Sequence, residues 1–142
     1  MILFLVLLTY GLIRLEAARV EYATGLGKQE LLTSVLSEMH NVNTLVEIGT
    51  TRYLHLNSYG QSTLVLADYA RSHNATFYSV DVDKEALALA SELVGGSDGS
   101  VFFVHEDGVS FLSRLSGEID FLYLDSSNDP QDTLNQAVMM GN

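Results

Sequence analysis

Short, densely apolar runs alternate along the chain with stretches of helical periodicity. The runs fall at residues 44–48 (TLVEI), 76–81 (TFYSVD), 101–105 (VFFVH) and 119–124 (IDFLYL). They are near-continuous rather than alternating, as expected of strands buried on both faces in a parallel sheet. Residues 62–72, 84–94 and 108–116 read as helices between them. Gly95-Gly96 closes the second of these and Gly117 the third. Ahead of the first run, residues 28–40 place Leu31, Leu32, Val35, Leu36 and Met39 on one helical face. Strand–helix–strand repetition with right-handed crossovers predicts an α/β fold, a doubly wound Rossmann-like parallel sheet. No internal repeat or low-complexity segment interrupts it.

The N-terminus departs from this rhythm. Residues 1–13, MILFLVLLTYGLI, carry no charge before Arg14. The run is too short to cross a bilayer as a helix, which takes about 20 apolar residues. It also lacks the basic flank of a secretory leader. The favoured reading is a segment buried against the fold or a partner, with membrane association or secretory targeting as the weaker one. So abrupt a start would also suit a piece of a longer protein. The chain then divides into an apolar segment and linker, residues 1–26, and a globular domain, residues 27–142.

Composition narrows the function. The 142 residues are 47% hydrophobic, enough for one domain with a substantial core. Eighteen acids against seven bases give a net charge of −11, which argues against nucleic acid as a partner. The absence of cysteine excludes disulfides, thiolate metal sites and thiol catalysis, and it suits a cytoplasmic location.

The acids carry more information by position than by number. Glu47 lies at the end of the first strand, Asp81 ends the second, Asp107 follows the third and Asp125 ends the fourth. In a parallel sheet the strand C-termini share one edge, where ligands bind. Four carboxylates are therefore expected on one rim. Taken singly, each has a plainer explanation: Asp83 and Asp107 stand where they would cap the next helix. The dinucleotide and P-loop glycine fingerprints are missing, and no cluster of lysine or arginine follows a strand. A ligand with hydroxyls and positive charge but no phosphate would suit this rim, as a ribose and a sulfonium together would.

The order LVEIGT, GQSTLVLADYA, FYSVDVDKEALALA, HEDGVSFL, IDFLYLDSSND, over roughly residues 44–130, resembles the class I S-adenosylmethionine-dependent methyltransferases. The similarity is greatest to their small-molecule O-methyltransferase branch. It implies that Glu47 and Gly49 line the methionine end of S-adenosylmethionine, with Gly60 resuming the glycine pattern. It implies that Asp81 binds the ribose diol and that Val82, Asp107 and Gly108 surround the adenine. Asp125 would face the transferred methyl group and a small-molecule acceptor bearing a hydroxyl. A divalent metal, held in some relatives by the fourth-strand acid and later acids, would start from Asp125 and Asp129, with no further ligands identified.

Two features depart from the family's pattern. Residues 51–58 read as an insertion in the first glycine motif. It brings Arg52, Tyr53, His55 and Asn57, with the adjoining Tyr59, either to the acceptor pocket or into a solvated loop. The family's sheet has seven strands, and only the first four are legible here, in an expected order 3-2-1-4. The chain thus reads as truncated after the fourth strand. It would hold the cofactor half and leave the fourth strand as an open edge prone to self-association. Two alternatives remain: a Rossmann-type nucleotide-binding oxidoreductase, in which Asp81 would also hold a ribose, and a non-catalytic remnant of the methyltransferase fold.

Overall fold

The computed structural model describes residues 3–7, 16–20, 28–51 and 62–125. Its elements are β1 (Leu3–Leu7), β2 (Glu16–Val20), α1 (Lys28–Glu38), β3 (Thr44–Ile48), α2 (Ser62–His73), β4 (Thr76–Asp81), α3 (Lys84–Val94), β5 (Val101–His105), α4 (Gly108–Arg114) and β6 (Phe121–Leu124). They form one six-stranded sheet in the order β2-β1-β6-β3-β4-β5. The four strands β5-β4-β3-β6 are parallel. Numbered from β3, they stand in the expected order 3-2-1-4.

Both faces of β3, β4 and β6 are largely buried, which is why they read as unbroken apolar runs, whereas β5 at the sheet edge leaves Phe102 exposed. One face joins Leu45, Phe77, Val101, Phe121 and Tyr123 to Leu32 and Leu36 of α1, Leu66, Ala67 and Ala70 of α2, and Val94 at the end of α3. The other joins Val46, Ile48, Val80, Leu122 and Leu124 to Phe111 and Leu112 of α4. The two sets alternate along each strand, following the two-residue period of an extended chain.

The edge of β6 is not open. Strand β1 pairs with it antiparallel, Leu5 opposite Tyr123, and β2 pairs with β1 in turn. The apolar N-terminal run therefore contributes a strand to the sheet. The unpaired backbone from which self-association was expected is occupied. Among the described residues, no helix is long and apolar enough to cross a membrane.

Local chemistry sets the boundaries. Helix α1 ends at Glu38, short of residue 40, and Asn41 turns the chain at φ 61°. Strand β6 begins only at Phe121, because the Asp120 carboxylate accepts the N–H groups of Asn43 and Thr44 at 2.8 and 3.0 Å. Asp83 caps α3, accepting from Glu85 N and Ala86 N at 3.0 and 3.1 Å, as expected. Gly95 ends that helix at φ 83°, in the left-handed region that favours glycine.

Arg71 of α2 secures the turn after α3. Its guanidinium donates to the carbonyls of Val94 (2.6 Å) and Gly96 (3.1 Å) and to Asp98 (2.7 Å). Arg71→Ala is expected to lower the unfolding free energy by about 1–2 kcal/mol, mostly through the two carbonyls, since the exposed ion pair adds little. Arg71→Lys should recover only part of the loss, because one ammonium cannot reproduce the fork. Urea unfolding of the two variants measures both.

Candidate functional site

The C-terminal ends of β3, β4 and β6 lie side by side. The Gly49 N–H donates to Val80 O at 2.8 Å, and the Asp125 N–H donates to Ile48 O at 2.9 Å. Gly49 adopts φ 95°, a conformation that a side chain would strain, so the glycine here serves the turn itself. On the far side, the Glu106 N–H donates to Asp81 O at 3.1 Å.

Asp81 stands at the centre of this edge and is nearly buried. Its Oδ2 accepts the Thr50 N–H at 2.9 Å and its Oδ1 accepts the Asp83 N–H at 2.8 Å. These two backbone bonds orient the carboxylate at the end of β4. Val82 follows it with 64% of its surface exposed, an apolar side chain presented to solvent. His105 fixes the next turn of chain, its Nε2 lying 2.9 Å from Val82 O. Since a carbonyl only accepts, that nitrogen carries the proton.

Asp107 caps α4, accepting the Ser110 N–H at 3.0 Å, while Gly108 is the buried first residue of that helix. The plainer explanation of Asp107 is thus realised in the fold. Asp125 is exposed at the end of β6. Gly60, the insertion residues Arg52, Tyr53, His55, Asn57 and Tyr59, and Asp129 lie outside the described residues.

Glu47 is not on the open rim. It is fully buried, and its carboxyl group accepts from Ser62 Oγ (2.5 Å), Thr63 Oγ1 (2.7 Å) and Ser79 Oγ (2.7 Å). The period of two along β3 directs it to the face covered by α2, whose first two residues supply two of these hydroxyls. Ser62 and Thr63, at the start of α2, both donate to this acid. Burial pushes Glu47 up to about 7. The three hydroxyl donors pull in the opposite direction, and the nearby Asp125 charge adds a further upward push.

Thr50 and Ser79 escaped the sequence reading. A serine within the otherwise apolar run TFYSVD was the available signal, because a polar group buried in a strand needs a partner. A groove of about 890 Å³, lined by Leu36, His40, Asn43, Tyr69 and His73, opens between α1 and α2. It lies at the N-terminal end of β3, away from this edge.

Residues 46–140 match the family described as the methyltransferase domain. The chain belongs to the class I S-adenosylmethionine-dependent methyltransferases. Its parallel strands in the order 3-2-1-4 agree with that family's Rossmann-like fold. No match is found among curated proteins. S-adenosylmethionine is the usual cofactor of this methyltransferase family and methyl transfer its general chemistry, which sets the oxidoreductase alternative aside. Among the described residues, no group of three or more His, Cys, Asp or Glu is placed to hold a metal ion.

Proposed function

We propose that this methyltransferase binds S-adenosylmethionine across the edge formed by Gly49, Asp81, Val82 and Gly108 and transfers its methyl group to a small hydroxylated acceptor. The observation that carries the reading is Asp81. It is a nearly buried carboxylate at a strand C-terminus, held by two backbone N–H groups and followed by an exposed apolar residue. A diol at the carboxylate and a flat base against Val82 would suit the two neighbours. Asp107 and Gly108 form the next wall, Asp107 acting there mainly through the helix it caps.

The cofactor supplies an electrophilic methyl group on a sulfonium. The protein's part is to align an acceptor oxygen with that methyl group, a source of several kcal/mol in such displacements, and to receive the acceptor's proton. Asp125 is the residue proposed for the acceptor side, standing at the end of β6 beside the turn at Gly49. Nearby negative charge also favours a sulfonium electrostatically. Glu47 acts from below this surface, by holding the start of α2 against β3 and β4.

Calorimetry with S-adenosylmethionine, S-adenosylhomocysteine and NAD tests the cofactor. Labelled methyl transfer to a panel of catechols, phenols and aliphatic alcohols tests the acceptor. Binding of both sulfur ligands with no response to NAD is expected. NAD binding in their place would overturn the reading, and methylation confined to amines would overturn the acceptor class.

A further inference from the structure

Four buried oxygens beside the cofactor edge close into a ring. Glu47 Oε2 lies 2.7 Å from Ser79 Oγ, which lies 2.9 Å from Thr50 Oγ1. Thr50 Oγ1 lies 3.3 Å from Thr63 Oγ1, which returns to Glu47 Oε2 at 2.7 Å. All four residues are buried. A hydroxyl has one hydrogen to donate, so the possible arrangements can be counted.

With Glu47 ionised, Ser79 and Thr63 both donate to Oε2, Ser62 donates to Oε1, and Thr50 donates to either neighbour. With Glu47 protonated on Oε2, the bonds run one way round: Glu47 to Ser79, Ser79 to Thr50, Thr50 to Thr63, and Thr63 back to Oε2. No hydroxyl of the ring is left without an acceptor in either state. The ring also grips the chain entering the cofactor loop. Thr50 gives its N–H to Asp81 Oδ2, and Thr51 gives its N–H to Thr63 Oγ1 at 2.9 Å.

We propose that Thr50, Thr63 and Ser79 are positioning residues for S-adenosylmethionine binding. With Glu47 they form a closed hydroxyl ring that holds the loop after β3 and the Asp81 carboxylate in one geometry whether or not Glu47 carries a proton. The proposal rests on the cofactor reading above. Both protonation states are populated near neutral pH, because burial raises Glu47 to about 7. From β4, Ser79 and then Asp81 face the ring's edge; from β6, Tyr123 stands in register with Glu47 and Asp125 lies beyond it. The first turn of α2 contains no acid.

Thr50→Val isolates the ring from the carboxylate. It removes one hydroxyl at nearly constant shape and leaves the ionised Glu47 all three donors. In the protonated state, the hydrogen of Ser79 loses its acceptor. A buried group left unpaired in this way costs about a tenfold factor. The variant should therefore bind S-adenosylhomocysteine as wild type does at pH 8.5 and about tenfold more weakly at pH 5.5. Thr50→Ser should follow wild type at both. A Thr50→Val loss of equal size at both pH values, or none at either, overturns the proposal. If wild type itself does not bind, the cofactor reading fails and the positioning role with it. Urea unfolding then still reads the ring: a stability loss in Thr50→Val confined to pH 5.5 shows it, and an equal loss at both pH values refutes it.

Discussion

Glu47→Gln is expected to gain stability over wild type as pH rises, by about 3 kcal/mol between pH 4.5 and pH 8. Burial holds the folded Glu47 carboxyl at about 7 against a usual 4.5. Below pH 4.5 it is neutral in both folded and unfolded chains, and the stability linked to its raised value is fully present. Between 4.5 and 7 the unfolded chain releases the proton while the folded protein keeps it, so wild-type stability falls with rising pH. Above 7 the folded group is ionised as well and the loss levels off. At about 1.4 kcal/mol for each pH unit of that interval, the fall amounts to about 3 kcal/mol. Full burial means that solvent does little to screen it.

Glutamine removes the titration and preserves the shape. Its carbonyl can accept from Thr63 and Ser79 while its amide donates to Ser62. Any constant offset from this rearrangement cancels when the difference between the two proteins is followed against pH. The histidines, common to both, cancel likewise. Urea unfolding at half-unit steps from pH 4.5 to 8.5 gives the curve. A difference that does not change with pH would mean that Glu47 releases its proton over the same pH range in the folded and unfolded chains, and the burial argument would be wrong.

The same residue shows how far the sequence could be read. Glu47 was legible as an acid where a buried strand meets a loop, and its partners were not. Ser62 and Thr63 lie beyond an insertion, and Ser79 lies on another strand. Their convergence depends on the parallel register that sets Glu47 beside Ser79, a pairing that no local pattern encodes. Strands β3, β4 and β6 were legible because burial on both faces demands unbroken apolar runs, and β5 because its run VFFVH is as apolar although it lies at the sheet edge. Asp83 was legible because a cap is a local matter of two or three residues. The N-terminal hairpin was less so: EAARV has weak strand propensity, and β2 forms through its pairing with β1 rather than from preference. The strand order came from likeness to a family, since periodicity alone does not say which strands are neighbours.

Asp81→Ala is expected to weaken S-adenosylmethionine binding by about 1.5–3 kcal/mol, the range for hydrogen bonds to a charged group. The argument combines position with preparation. The carboxylate ends β4 and is fixed by the N–H groups of Thr50 and Asp83, so little ordering remains to be done when a diol arrives. Removing it also frees the Thr50 N–H, so part of the loss would come from a displaced loop. Asp81→Asn separates the two contributions. It keeps an oxygen for one backbone N–H and loses the charge, and affinity should fall less than with alanine. Asp83→Ala is the control from the same turn. It removes the cap of α3 and about 1 kcal/mol of stability, while leaving both Asp81 oxygens in place. Its effect on affinity should be within about twofold. Calorimetry on the three variants, with unfolding midpoints to normalise for stability, decides the matter. Equal losses of affinity from Asp81→Ala and Asp83→Ala would show that the turn as a whole, and not the Asp81 carboxylate, holds the cofactor.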